Sequence, residues 1–420
     1  MALTEVPLAF ALIGLALYTV LGGADFGAGF WQLTAGRGSL ADRIREHAHH
    51  AIAPVWEANH VWLIFVLTVV WTAYPVAFGS IASTLSVPFF LAAIGIILRG
   101  TAYALSSGAS TAGEGRRIDS LFALSSVLTP FALGTMVGGI ASYRVPVGNA
   151  KGDLLTSWLN PTSILLGVLA VAVAAFLAAA FLAADANRQG EADLERQFRL
   201  RAITAGVVSG VVALAGLVVV RIDAPSLFHG LTSGLGLLAV ICSALAAFAT
   251  LVLVGLDRFG PARYTAPLAV AAVIAGWAFA QRPVLLPGLT IAQAAAPTAT
   301  LVAVTVAVLV GAMVLLPSLA LLFRLVLRGH FDPHLSPAPG AHAAGPRPPR
   351  RGRTRLLAVA AGGCLLAGFV LLTVAEAGWA HAVGATCLLA AIVLGVAVVA
   401  PADVADEVAA ERDPSGSPSD

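Results

Sequence analysis

Two carboxylates stand where carboxylates are costly. Asp25 lies in LGGADFGAGFW and Glu57 in IAPVWEANHVWLIF, each within an otherwise apolar run. An ionisable side chain inside a membrane-spanning helix costs about 2.5–3.5 kcal/mol or more, and it commonly marks a proton or ion path or a partner charge. A carboxyl in a partly dry site can exchange protons near neutral pH, which makes Glu57 a candidate proton carrier. Glu57 and His60 are spaced i, i+3 and share a helix face, with Trp56 and Asn59 beside them. Glu57 also stands in the first turn of its helix, where it would complement the helix dipole. Asp25 sits well inside its helix, so it reads either as a proton-path group or as a hydrogen-bonding tie to a neighbouring helix. Gly22, Gly23, Gly27 and Gly29 surround it; small residues allow close helix packing and can leave room for water. Arg99 ends the third apolar segment, placed to pair with an acid or to reach the headgroups.

Other chemistry is sparse. His47, His49 and His50 cluster in REHAHHAIAP, which reads as a solvated loop or interface segment, while His60, His229 and His381 lie in or near apolar stretches. A haem needs axial ligands facing a roomy interior, and there is no CxxCH spacing. Cys242, Cys364 and Cys387 are dispersed in apolar segments without CxxC spacing and read as buried thiols. The expectation is a chain with no catalytic residue, no cofactor ligand and no metal site of its own. Asp25, Glu57 and His60 are its candidate proton path, supported by Trp56, Asn59 and Arg99.

The elements that must position these residues are membrane helices. Of the 420 residues, 59% are hydrophobic and 11% charged, against about 25% charged in soluble domains. A span takes about 20 apolar residues. Such stretches run near 7–33, 54–76, 80–105, 119–141, 162–184, 202–220, 231–255, 264–280 and 297–323. The first, without a basic leader region, reads as a spanning helix rather than a signal peptide. The predicted organisation is a membrane domain over 1–328, a Pro/Arg-rich linker over 329–355, a further helix pair over 356–400, and an acidic tail over 401–420. A small net charge of +2 and the lack of a basic domain give no sign of nucleic-acid binding. With the N-terminus outside, 18 Lys and Arg residues fall in inside loops and 4 in outside loops. That bias follows the positive-inside rule and requires all nine helices. Asp25 and Glu57 then fall at similar depth toward the cytoplasmic side.

GGADFGAGFW and APVWEANHVWLIFVLTVVWTAYPVAF resemble the signature regions of cytochrome bd oxidase subunit II. PFFLAAIGIILRGTAYAL, LTPFALGTMVGGIASYRVP, RQFRLRAITAG and ATLVAVTVAVLVGAMVLLPSLALLFRL extend the likeness over roughly residues 5–330. The resemblance implies an all-α polytopic membrane protein, with two four-helix bundles plus a peripheral helix, nine core spans, and about two extra C-terminal spans. It implies a haem-free subunit in a bacterial cell membrane. The haem-bearing subunit I would be its partner, carrying haems b and d and oxidising quinol as oxygen is reduced to water. A small single-helix accessory subunit is a further implied partner. The acids carried over are Asp25 and Glu57. Ser106 and Ser107 depart from the family, where many relatives place an aromatic and a basic residue. Intramembrane carboxylates and a Gly-rich helix also fit a proton-coupled secondary transporter, and a purely scaffolding subunit is a third reading.

Overall fold

The computed structural model describes residues 2–52, 56–106, 112–327, 351–373 and 378–399. It divides into two units, Met1–Leu322 and Phe323–Asp420. Nearly every element is a helix, as expected for an all-α multi-pass membrane protein.

In the first unit, α1 (Val6–Leu33) is followed by α2 (Ser39–Ile52), α3 (Trp56–Ala73), α4 (Pro75–Thr84), α5 (Ser86–Ser106) and α6 (Ala112–Ala141). Next come α7 (Pro161–Gln189), α8 (Ala192–Asp223), the short α9 (Pro225–Leu231), α10 (Gly234–Gly255) and α11 (Phe259–Gln281). A small antiparallel hairpin, β1 (Val284–Leu286) and β2 (Leu289–Thr290), pairs Val284 with Thr290 and Leu286 with Leu289. One turn, α12 (Ile291–Ala294), leads to α13 (Thr298–Leu327). Among the described residues, eight helices are long and apolar enough to cross a membrane, and α3 contributes a shorter apolar stretch over Asn59–Ala73. These coincide with the nine apolar segments. In the second unit α14 (Arg351–Thr373) packs against α15 (Gly378–Val399). Residues 328–350, most of the anticipated linker, and 401–420 lie outside the described residues.

The helices start and stop where local chemistry dictates. Proline, which needs no donor in a first turn, opens α1, α4, α7 and α9. Asn160 caps α7 by accepting from the Ser163 amide at 2.9 Å, and Gly190 ends it in a left-handed conformation with φ of 76°. A second cap for α7 comes from α8: Asp223 accepts from the Thr162 hydroxyl at 2.6 Å and from its amide at 3.3 Å, and pairs with Arg144 at 2.7 Å.

Packing gathers α1, α3, α5 and α6 as neighbours, and α7, α8, α10 and α11 as neighbours; α1 and α6 both also lie on α7. Only 6% of the apolar stretch of α13 is buried, which makes it the most peripheral span. At the hairpin end, Tyr74 ties three segments together. Its hydroxyl donates to the Thr4 carbonyl at 2.7 Å and accepts from the Leu8 amide at 3.1 Å, while the Ala296 amide donates to the Ala73 carbonyl at 2.8 Å. At the opposite end, α2 replaces the expected loop. Ala41, Ile44 and Ala48 form its buried face, and Arg43 on it pairs with Glu191 at 2.5 Å. His47 is accordingly buried rather than solvated: its Nε2 lies 3.2 Å from the Leu182 carbonyl oxygen and its ring meets Phe198.

α1 lies hard against α7 at Gly27. A β-carbon at Gly27 would collide with the Ala174 carbonyl, whereas one at Gly210 would meet nothing within 4 Å. Gly27→Ala is therefore expected to destabilise the protein by about 1–3 kcal/mol through forced separation of the backbones. Thermal unfolding of the purified membrane protein should show a lowered Tm for Gly27→Ala and none for Gly210→Ala.

Candidate functional site

The chemistry collects inside the first helix group. Asp25 is 2% exposed and Arg99 1% exposed. The guanidinium grips the carboxylate with two bonds: Nη2 donates to Oδ1 at 2.5 Å and Nε donates to Oδ2 at 3.0 Å. Nη2 also donates to the backbone carbonyl of Asp25 at 2.9 Å, and Nη1 donates to the Ser126 hydroxyl at 2.8 Å. That hydroxyl in turn donates to the Phe122 carbonyl at 2.7 Å. Phe122 and Phe26 cover the guanidinium faces, with centroids 4.1 and 5.0 Å from its central carbon. Such a bidentate, ring-covered arrangement is what arginine tolerates when withdrawn from water. Of the two roles open to Arg99, the structure takes ion pairing with an acid.

Three helices meet at this point because glycine lets them. A β-carbon at Gly29 on α1 would strike the Ser126 hydroxyl, and one at Gly95 on α5 would strike the Thr129 hydroxyl. Gly27 serves the opposite face, toward α7.

α3 runs antiparallel alongside α1. Asn59 Nδ2 donates to the Leu21 carbonyl at 3.3 Å, and Gly14 abuts Phe65 and Val66. That register puts the Glu57 backbone at the level of Gly23. At 1.5 Å rise per residue, this is about 3 Å along the helix axis from Asp25. The side chains of Glu57 and Trp56 lie outside the described residues. His60 sits between two rings of α1, edge-on to Tyr18 at 6.1 Å and to Phe26 at 5.9 Å between centroids. Asp25 and Arg99 are thus in direct contact, Asn59 holds α3 to α1, and His60 is joined to the pair through Phe26.

Several contributors escaped sequence reading. Ser126, Phe122, Phe26 and Tyr18 carry no charge and sit in apolar helices, where such residues usually only pack. The signal for Tyr18 was its i, i+7 spacing to Asp25, which places both on one face of α1. Among the described residues, no group of three or more His, Cys, Asp or Glu side chains could hold a metal ion.

Fold and site together define a multi-pass α-helical membrane protein whose first helix group encloses a sealed charge pair. The chain belongs to the cytochrome bd terminal oxidase subunit II family, whose profile matches residues 3–326; its complexes are oxidoreductases with a subunit I partner and haem cofactors. It is similar to a putative cytochrome bd menaquinol oxidase subunit II of Bacillus subtilis (strain 168), at 24% identity over 255 residues, covering 58% of this chain and 68% of the relative. It is also similar to a cytochrome bd ubiquinol oxidase subunit 2 of the same strain, at 26% identity over 232 residues, covering 54% and 66%. These alignments span about two thirds of each relative. In fold it is similar to a chain in the structure of bd oxidase from Geobacillus thermodenitrificans, with a TM-score of 0.61 and 24% identity, covering 78% of this chain and 99% of that one.

The Ser126 hydroxyl is the acceptor for Arg99 Nη1. Ser126→Ala is expected to cost about 1–3 kcal/mol by leaving a buried charged donor unsatisfied. Unfolding measurements should show this loss for Ser126→Ala and a smaller one for Ser125→Ala, whose hydroxyl bonds only the Phe122 carbonyl of its own helix.

Proposed function

We propose that this chain is the haem-free subunit II of a cytochrome bd-type quinol:oxygen oxidoreductase. It supports the haem-bearing subunit I and contributes a proton-uptake path from the cytoplasm. The carrying observation is the Asp25–Arg99 pair, sealed inside the helix set to which α3 brings Glu57 and His60. Orientation follows from the arginine bias: the N-terminus outside, the α2 end facing the cytoplasm, the whole in a bacterial cell membrane. Quinol as substrate is supported by the names of both Bacillus relatives.

Haems b and d on subunit I would supply the oxygen chemistry; the residues here do proton work. Glu57, in the first turn of α3, takes up a proton at its carboxylate oxygen from the cytoplasmic side. His60, one turn further along the same face, continues the path at its ring nitrogens. Asp25 takes part as a fixed negative charge held by Arg99. Its field offsets the cost of bringing a proton into an apolar region, while the guanidinium keeps the site neutral when no proton is present. Asn59 fixes the start of α3 against α1, and Trp56 is taken as a supporting residue beside Glu57. Uptake on one side, with quinol protons released on the other, builds a membrane potential; each charge moved across 100 mV is worth about 2.3 kcal/mol. The stretch before α14, residues 329–350, serves as a cytoplasmic linker to the added helix pair, whose first helix begins at Arg351 rather than at 356, and a single-helix accessory subunit completes the complex.

A structural role alone is favoured by one observation, the bidentate grip on Asp25, which would serve a scaffold equally well. The assembled oxidase separates the two. Glu57→Gln is expected to lower quinol oxidase turnover at least about tenfold with haem spectra and subunit content unchanged. Full turnover per haem in Glu57→Gln would reduce the chain to a scaffold.

A further inference from the structure

Tyr18, Gly22, Asp25 and Gly29 recur at spacings of three and four and so share one face of α1. The Tyr18 ring lies over Gly22: a β-carbon there would stand 3.0 Å from Cε2 and 3.5 Å from Cζ. The side chain therefore leans one turn along α1 toward Asp25, and its hydroxyl lies in the field of both Asp25 and Arg99. Tyr18 is 5% exposed, and its hydroxyl is buried without a hydrogen-bond partner among the described residues. A second hydroxyl repeats the situation. Thr129 is fully buried, its Oγ1 has no partner among the described residues, and it abuts Gly95, one turn from Arg99 on α5 and one turn from Ser126 on α6.

Both hydroxyls lie on the hairpin side of one buried charge pair. Buried polar groups that lack protein partners are commonly met by ordered water, which needs two to four polar contacts. Here Asp25 offers carboxylate lone pairs beyond those taken by Arg99, and each hydroxyl can both donate and accept.

We propose that Tyr18 and Thr129 hold buried water against the Asp25–Arg99 pair, and that Tyr18 is a positioning residue that orients this water for the proton path. This rests on the proton-uptake reading above. The ligand is water, and the step is a relay. Tyr18 and Thr129 only orient the water by hydrogen bonds: a proton arriving from the α2 side is taken up by that water beside the Asp25 carboxylate and handed on from it toward subunit I, while the phenol keeps its own proton. Ring and water end as they began, with no change of oxidation state.

The test uses the assembled oxidase carrying Tyr18→Phe, which keeps the ring and its contacts and removes only the hydroxyl. Turnover per haem is expected to fall about tenfold, with subunit content and Tm unchanged. Infrared difference spectra recorded in H2(18)O are expected to lose a buried-water band present in the parent enzyme. Both changes are required; if either is missing the proposal is overturned. Glu57→Gln measured alongside separates this idea from the one beneath it. Unchanged Tyr18→Phe beside an impaired Glu57→Gln would overturn the Tyr18 role and leave the uptake path standing. Full turnover in both would remove the path itself. A Tyr18→Phe chain that fails to assemble would make the hydroxyl a folding contact and also overturn the proposal.

Discussion

A guanidinium and a carboxylate, both withdrawn from solvent inside so apolar a chain, persist only in each other's company. Removing either ion from water costs several kcal/mol, and that cost is met only with near-ideal geometry and with every remaining donor satisfied. The Asp25–Arg99 contact approaches both conditions: two bonds to the carboxylate, one to a backbone carbonyl and one to Ser126 engage four of the five guanidinium N–H groups, and the Phe26 and Phe122 rings pack against it. Because the pair spans α1 and α5 and draws in α6, a one-residue shift of α1 or α5 would leave a charge unpaired, and a shift of α6 would leave a guanidinium N–H without Ser126. The contact therefore fixes helix register where apolar packing alone would be permissive.

Much of the surrounding structure follows from that demand. Gly29 and Gly95 are the positions at which a β-carbon would displace the hydroxyls beside the pair. α1 must also lie hard against α7, and the alanine-rich stretch from Ala174 to Ala184 gives it a smooth, buried surface to lie on. The ends are tied separately. Tyr74 and the small hairpin hold the N-terminal turn, α3 and α13 at one end. α2, with Ile44, Ala48 and His47 turned inward, holds α1 to α7 at the other. The proton chemistry proposed for Glu57 and His60 lies between these two tied ends.

The spans were legible because lipid imposes a length: any segment of about 20 apolar residues has few alternatives. Helix α2 was not, since SLADRIREHAHHAI is polar on average and its buried face is only Ala41, Ile44 and Ala48 at helical spacing. Asp25 and Glu57 could be placed at matching depth, but which of them Arg99 would meet could not. That choice depends on the rotation of α5 about its own axis, set by Gly95, Thr129 and Ser126 through contacts about 27–74 residues apart. The hairpin over Val284–Thr290 is too short for alternation to announce it.

The account stands or falls on whether Asp25 and Arg99 are energetically coupled within the membrane. A double-mutant cycle on the assembled protein, with Asp25→Asn, Arg99→Gln and the two combined, measures this directly by unfolding. Each single change should destabilise by about 3–5 kcal/mol, since it strands a buried charge, and the double variant should recover a large part of that loss. Additive losses, with no recovery in the double variant, would show that the two side chains do not hold the helices together.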